Sequence, residues 1–189
     1  MAERIYGHYY RETGRRYVKR ISAGNETRSA AIDLTRRIHM WQGRYETTTD
    51  VSADRLYRVI TDVNNWNRWD AGIEFTKLEG EVRKGASFIL KPKGGPNVKM
   101  SIEEIRPFQF VDIAHLFLTR MRTSHEYIQN GNQTTIRFKV EVRGVLGFLW
   151  KRIVAENQIR EAPAQTASFI NYARLMPDSL STPDGPAAG

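Results

Sequence analysis

The chain contains no cysteine among its 189 residues. Disulfide bridges, thiolate metal ligands and cysteine nucleophiles are therefore excluded. Histidine is also scarce, and no two of the four imidazoles have the close helical spacing of a zinc site. They are His8, His39, His115 and His125. We expect no metal centre and no bound cofactor.

Long apolar runs are absent as well. No stretch approaches the roughly 18 consecutive apolar residues that a membrane-spanning helix needs, and the amino-terminal segment lacks the apolar core of a secretory signal. The sequence therefore predicts a cytoplasmic protein. Hydrophobic residues make up 40% of the chain, which is enough for the core of one globular domain.

The net charge of +8 is spread unevenly. Residues 1–39 hold nine Lys and Arg against four Asp and Glu, whereas the rest of the chain carries only +3. This distribution argues against nucleic acid as the partner of the domain. Two interpretations of the leading segment stay open: a partly disordered or surface-laid extension, or a basic arm for phosphate or acidic lipid. The contacts of such an arm would be Arg15, Arg16, Lys19 and Arg20.

Changes in residue pattern divide the chain into three parts. Regular alternation begins at Met40, and a segment rich in Pro, Gly and Ser begins at Pro177. We therefore predict a basic extension over residues 1–39, a folded domain over residues 40–176 and a disordered tail over residues 177–189.

The folded domain is expected to contain seven strands and two helices. Met40–Thr49 alternates as a strand does, and Ser52 is a candidate N-cap for the helix that follows. Short, turn-rich connections between the later segments favour an antiparallel meander. Its strands are predicted at Ile73–Glu79, Ala86–Lys91, Lys99–Arg106, Gln109–Leu116, Arg120–Gln129 and Thr134–Arg143.

The last element is predicted to be one long helix over Leu146–Met176. Pro163 should kink it near residues 159–162, because proline removes one backbone donor and crowds the preceding turn. The fold class is thus α+β. Because a long helix laid across a curved antiparallel sheet cannot fill its concavity, we expect a cavity between them.

Several segments resemble the START-like, or SRPBCC, superfamily, and in particular its polyketide cyclase/dehydrase and lipid-transport branch. The resemblance covers roughly residues 40–176. It rests on TTTDVSADRLYRVITDVNNWNRWDAGIE, the Leu90–Met100 hairpin LKPKGGPNVKM, IEEIRPFQFVDIA at Ile102–Ala114 and the mid-helix Pro163. It implies the helix-grip fold, in which a curved antiparallel sheet of about seven strands wraps around a long C-terminal helix. Because the superfamily includes cyclases, lipid carriers and hormone receptors, the resemblance implies a fold more specifically than an activity.

Two tryptophans stand three residues apart between the first helix and the next strand. Trp66 and Trp69 would lie on one side of a short helical turn that closes one end of the cavity in this family. Each ring can bury roughly 150–250 Å², so both need a surface to pack on. Two roles stay open: a plug against the terminal helix, or a ring that stacks on a ligand.

The strand Arg120–Gln129 supplies a second group of candidates. Alternation gives it one face that we expect to be interior, composed of Met121, Thr123, His125 and Tyr127. His125 is the first candidate for proton transfer, because the unperturbed pKa of imidazole lies near neutrality, and Tyr127 is the second. A buried histidine that is hydrogen-bonded within the sheet is the alternative. The predicted ligand-binding set is Trp66, Trp69, Met121, Thr123, His125, Tyr127, Phe138 and Trp150.

Two further features leave alternatives open. His115 either faces the same interior space or lies at an exposed hairpin. Phe117 and Leu118 form an apolar turn that is compatible with a cavity lid, a dimer contact or a membrane-facing entrance. A homodimer and a transient membrane contact therefore both remain open.

Two classes of function follow from these residues. The first is binding or carriage of a small hydrophobic ligand, such as a lipid, an isoprenoid or an aromatic polyketide, in the internal cavity. The second is a polyketide cyclase, aromatase or dehydratase in which His125 or Tyr127 assists enolisation. The sequence reveals no converging carboxylates and no nucleophile–base arrangement, and the interior polar set is thin. It therefore favours the binder.

Overall fold

The computed structural model of the protein describes residues 39–176. The predicted tail and nearly all of the predicted basic extension lie outside these residues. The strands are β1 (His39–Thr49), β2 (Ile73–Leu78), β3 (Ser87–Pro92), β4 (Val98–Arg106), β5 (Gln109–Leu116), β6 (Thr119–Asn130) and β7 (Gln133–Gly144). The helical elements are α1 (Ala53–Thr61), a 3₁₀ helix (Val63–Arg68), α2 (Gly147–Trp150), a π-helical turn (Lys151–Ala155) and α3 (Glu156–Leu175).

The seven strands form one antiparallel sheet in the order β1-β7-β6-β5-β4-β3-β2. Strands β2 to β7 are sequential neighbours, as short hairpin connections dictate. β1 closes the order by pairing with β7, from His39 opposite Gly144 to Thr49 opposite Thr134. The predicted meander of about seven strands is confirmed.

The first helix begins where its N-cap was predicted. The Ser52 hydroxyl accepts a hydrogen bond from the backbone N–H of Arg55, so one of the free donors of the first turn is satisfied. Leu56, Val59 and Ile60 are buried together on one face of α1. This spacing of three and four residues is what a helix needs to cover one end of the sheet.

The C-terminal helix differs in detail from the prediction. α3 runs through Pro163 without interruption, and Pro163 is exposed on its outer side. The departure from α-helical hydrogen bonding lies earlier, in the π-helical turn Lys151–Ala155. The predicted kink near residues 159–162 stays a prediction. A π-bulge is itself a recognised cause of helix bending, and the sequence did not indicate one here.

The core lies between the concave face of the sheet and the C-terminal helix. Ala162, Phe169 and Ala173 of α3 are buried against it. At Gly43 of β1 the backbone lies close to the helix, since a Cβ built there would stand 2.5 Å from Cγ1 of Ile159. Within residues 39–176 no helix is long and apolar enough to cross a membrane.

Candidate ligand-binding site

A cavity of about 230 Å³ lies between the sheet and the C-terminal helix. Strands β2 to β7 supply its floor, the Trp66–Gly72 segment closes one side, and Val154, Gln158 and Glu161 reach it from the helix. The inner faces of the strands contribute mainly apolar side chains, because alternate residues of each strand point into the concavity. The cavity predicted from the sequence is therefore present.

Most of the predicted ligand-binding residues meet at this cavity. Seven of the eight line it: Trp66, Trp69, Met121, Thr123, His125, Phe138 and Trp150. Tyr127 instead lines an adjoining small cavity of about 30 Å³ beside Phe169, and His125 and Phe138 line both. Alternation along β6 therefore identified the inward face correctly. Met121 and Thr123 line the larger cavity, Tyr127 lines the smaller one, and His125 lines both.

The two tryptophans have different surroundings. Trp66 is 5% exposed, its indole N–H donates to the carbonyl of Ile60 at 2.9 Å, and its ring packs edge-on against two phenylalanines of the sheet, Phe88 and Phe110. Trp69 packs against Phe169 of α3 with ring centroids 5.0 Å apart. Contact with the terminal helix is thus made by Trp69, whereas Trp66 belongs to the sheet side of the core.

Trp69 also carries an unpaired donor. Its Nε1 is buried and has no hydrogen-bond partner within residues 39–176, and the same is true of Oε1 of Gln158. Both residues line the cavity. A buried polar atom without a partner costs about 1–3 kcal/mol, so the wall of the cavity holds one unsatisfied donor and one unsatisfied acceptor.

An acidic residue that the sequence analysis did not select lies in the middle of the floor. Asp112 is opposite Thr123 in the β5–β6 ladder, and its side chain is 4% exposed. Its Oδ2 is 3.8 Å from Nε2 of His125, the diagonal neighbour on β6. That separation exceeds hydrogen-bond range, so Asp112 does not hydrogen-bond to His125.

Burial shifts the pKa values of this pair toward their neutral forms. Loss of hydration raises the pKa of Asp112 to about 7, although the positive charge of Arg122 on the outer face opposes the rise. The same loss lowers the pKa of His125 to about 4. Between these values Asp112 holds a proton and His125 is neutral. Asp112 is therefore the group whose protonation changes near neutral pH.

These shifts change the ranking of the proton-transfer candidates. His125 is a weak base at a pKa near 4. Burial raises the pKa of Tyr127 well above its usual value, so its hydroxyl keeps its proton, and its ring stacks on Phe169. Asp112 has the pKa that proton transfer at neutral pH favours.

A second carboxyl group reaches the cavity from the tryptophan segment. Asp70 accepts hydrogen bonds from the backbone N–H of Gly72 at 2.8 Å and from the side-chain amide of Gln165 on α3. Burial raises its pKa, and the two hydrogen bonds oppose that rise. Asp70 thus ties the segment to the helix. Asp70, Asp112 and Glu161 all line the cavity, and the sequence analysis selected none of the three.

His115 lies outside this site. It is exposed on the outer face of β5, and its Nε2 is 2.8 Å from the hydroxyl of Ser101. Burial and the nearby charges of Arg120 and Lys99 lower its pKa. Among residues 39–176 no group of three or more His, Asp or Glu side chains is placed to hold a metal ion.

Residues 40–174 match the family model described as polyketide cyclase / dehydrase and lipid transport. The chain belongs to this family. The family assignment confirms the resemblance read from the sequence, and its description joins catalytic and ligand-carrying members. Comparison with curated protein sequences gives no match.

Solved structures support the same fold at low sequence identity. Norcoclaurine synthase from Thalictrum flavum, in complex with dopamine and hydroxybenzaldehyde, aligns with a TM-score of 0.60 and 14% identity over 82% of this chain and 96% of its own. The Zhui aromatase/cyclase from Streptomyces sp. R1128 aligns at 0.58 and 12% identity over 72% and 94%. A START superfamily protein from Mycobacterium smegmatis aligns at 0.56 and 13% identity over 69% and 98%. The fold is thus shared by proteins whose names state different activities.

Proposed function

We propose that the protein binds a compact aromatic molecule of one or two rings in the cavity between the sheet and α3. The observation that carries this proposal is the size and lining of the cavity, about 230 Å³ with a mainly apolar wall. A dry cavity of about 150 Å³ accepts benzene. Pockets for drug-sized ligands run from about 300 to 1,000 Å³. A long acyl chain or an isoprenoid lipid is therefore disfavoured relative to a small ring system.

The polar atoms of the wall support an oxygenated ligand. The unpaired N–H of Trp69 calls for a hydrogen-bond acceptor, and the unpaired Oε1 of Gln158 calls for a donor. A phenol or a hydroxyketone carries both. Asp112 in its protonated form adds a second donor on the floor of the cavity.

Blocking the cavity tests this proposal. Ala114 is 2% exposed on the inner face of β5 and lines the cavity, so Ala114→Leu projects three further carbon atoms into it and narrows it. Ala164→Leu places the same group on the exposed side of α3 and is the matched control. We expect 2-naphthol to raise the melting temperature of the unsubstituted protein and of Ala164→Leu, but not that of Ala114→Leu. Palmitate should have no effect on any of the three.

Two outcomes count against the proposal. If 2-naphthol stabilises Ala114→Leu as much as the control, the ligand binds elsewhere. If palmitate stabilises the protein and 2-naphthol does not, the protein carries a chain lipid rather than a ring. Calorimetric titration of the same variants separates binding from a general effect on unfolding.

The Asp112–His125 pair supports a second candidate, proton transfer on the bound molecule. With a pKa of about 7, the Asp112 carboxylate can remove a proton from the carbon next to a ketone. The resulting carboxylic acid can then return that proton to a β-hydroxyl, which leaves as water. This is a dehydratase or aromatase step that needs no other reactant.

Asp112→Asn separates the two candidates. Asparagine keeps the shape of the floor but cannot exchange a proton, so we expect the binding of 2-naphthol to persist. If the protein is an enzyme, water loss from an aromatic β-hydroxyketone should fall at least about 100-fold. Equal turnover in Asp112→Asn and the unsubstituted protein would exclude Asp112 as the acid/base.

A further inference from the structure

One end of the sheet carries an exposed apolar turn bordered by cations. Strands β5 and β6 are joined by a two-residue hairpin in which Leu116 pairs with Thr119. Its two turn residues, Phe117 and Leu118, are 58% and 54% exposed. Val145, in the neighbouring β7–α2 connection, is 41% exposed. We call Phe117, Leu118 and Val145 the apolar tip.

The residue types of this turn are not those that stabilise a hairpin. Leu118 has a φ of 52°, in the left-handed region that favours Gly or Asn. The β6–β7 hairpin follows that preference, with Gly131 at a φ of 58°. The β4–β5 hairpin has Phe108 at a φ of 63°, but that ring packs edge-on against Tyr57. At the apolar tip, by contrast, the left-handed residue is a large side chain in contact with water.

A hydrogen bond and close packing from the interior fix the position of the apolar tip. Nε1 of Trp150 donates to the carbonyl of Phe117 at 3.0 Å. A Cβ at Gly144 would stand 2.4 Å from the carbonyl oxygen of Leu118, so the end of β7 lies directly against the turn. Because Trp150 and Leu116 also line the cavity, the tip stands over one end of the proposed binding site.

A row of basic residues crosses the outer face of the sheet beside the tip. Lys99 pairs with His115, His115 with Arg120, and Arg120 with Arg143, on four neighbouring strands. All four side chains are exposed. Arg143 reaches Glu141 at 3.6 Å, whereas Lys99 and Arg120 have no ion pair among residues 39–176. Arg120 and Arg143 are like charges in a direct cross-strand position, which destabilises a sheet.

The charge of the whole domain is concentrated at this end. Residues 113–125 and 142–155 contain five Lys and Arg and no Asp or Glu. The rest of residues 39–176 contains fifteen Lys and Arg and fifteen Asp and Glu, so it is neutral overall. The two segments flank the apolar tip on both sides. Arg122, Arg143 and Lys151 have glutamate partners, but Lys99 and Arg120 beside the tip have no ion pair among residues 39–176. An apolar insertion bordered by such cations matches the surface of an anionic bilayer.

We propose that the apolar tip and its basic row dock reversibly on an anionic phospholipid membrane. Phe117 and Leu118 enter the interface between headgroups and acyl chains, while Lys99, Arg120 and Arg143 contact lipid phosphates. Docking in this orientation places the tip end of the cavity toward the bilayer. The inference does not depend on which molecule the cavity binds.

Vesicle co-sedimentation of the full chain tests this proposal. We expect binding to phosphatidylcholine vesicles that contain phosphatidylserine and little binding to phosphatidylcholine alone. Leu118→Asn should weaken binding at least about ten-fold, because burying a leucine side chain is worth that factor or more. Arg120→Gln and Arg143→Gln should each weaken it about five-fold.

Two control variants match these changes at distant positions. Leu175→Asn alters a side chain that is 83% exposed at the far end of the C-terminal helix, about 40 Å along it from Gly147. Lys84→Gln removes an exposed charge in the β2–β3 connection, which lies at the end of β3 away from the apolar tip. Both should bind vesicles within about two-fold of the unsubstituted protein, since neither lies at the docking surface.

The stability of Leu118→Asn separates docking from a structural role. Asparagine accepts a positive φ more readily than leucine does. The melting temperature of Leu118→Asn should therefore equal or exceed that of the unsubstituted protein. Vesicle binding by Leu118→Asn equal to that of the unsubstituted protein would overturn the proposal, even if binding were salt-sensitive, because residues 1–39 also carry +5. A dimer in solution that Leu118→Asn dissociates would overturn it in favour of a contact between copies.

Discussion

Nε2 of His125 lies 3.8 Å from Oδ2 of Asp112, diagonally across β5 and β6 and sheltered from solvent. Each group alone would make folding depend on pH, since burial raises one pKa and lowers the other. Together they hold one proton in the folded state, on Asp112. Between pH 4 and 6.5 the unfolded chain also holds one, on His125. The pair should therefore contribute little to the pH dependence of stability in this range.

Replacing either member of the pair should make the free energy of unfolding depend on pH, with opposite signs in the two variants. In Asp112→Asn, the unfolded chain protonates His125 as the pH falls below 6.5 while the folded protein does not, so stability falls toward pH 4 by about 3 kcal/mol. In His125→Gln, the unfolded chain ionises Asp112 above pH 3.8 while the folded protein does not until about pH 7, so stability falls as the pH rises, by about 4 kcal/mol.

Urea unfolding across this pH range checks both slopes, with the unsubstituted protein as the reference. Slopes of the same sign in the two variants would mean that the pair is not held neutral. A steep slope in the unsubstituted protein would mean that its two contributions do not compensate.

The two tryptophans should respond differently to replacement by phenylalanine. Trp66→Phe removes the hydrogen bond to the carbonyl of Ile60 and leaves that acceptor buried, whereas Trp69→Phe removes an N–H that has no partner. We expect Trp66→Phe to lose about 1–3 kcal/mol more free energy of unfolding than Trp69→Phe. Chemical denaturation measures the difference. Equal losses would show that the indole N–H of Trp69 is satisfied in solution.

The close approach of β1 to the C-terminal helix gives a prediction about packing. Gly43→Ala places a methyl group 2.5 Å from Cγ1 of Ile159, so it should cost about 1–3 kcal/mol. Ile159→Ala removes that atom, whereas the ring of Trp41, 2.7 Å from the new methyl group, remains. The double variant should then be more stable than the sum of the single effects by about 1 kcal/mol. Additive losses in a double-mutant cycle would mean that the helix moves away rather than clashes.

The order of elements could be predicted because each has a local cause that the sequence displays. Ser52 identifies the start of α1, and two-residue turns such as the one between Asn130 and Gln133 fix neighbouring antiparallel strands. The apolar and polar alternation of β6 placed Met121 and Thr123 on the cavity side. These features depend on residues close in sequence, so periodicity was sufficient to find them.

The inward position of Asp112 and its raised pKa could not be predicted in the same way. On β5, Phe110, Asp112 and Ala114 face inward, but Val111 and Ile113 make the outer face apolar as well. With both faces apolar, alternation does not tell which side a lone aspartate occupies. Its raised pKa follows from burial beneath the C-terminal helix, which is a tertiary effect. The π-helical turn at Lys151–Ala155 likewise has no local signature comparable to Pro163.

Methionine methyl groups offer the most direct test of the proposal that the cavity binds a compact ring. Met100 and Met121 line the cavity, whereas Met176 at the end of the C-terminal helix does not. In a titration of ¹³C-methyl-methionine protein with 2-naphthol, the resonances of Met100 and Met121 should shift together and saturate, while Met176 stays unchanged. Their shifts should be absent in Ala114→Leu. Unchanged Met100 and Met121 resonances at saturating 2-naphthol would contradict the account.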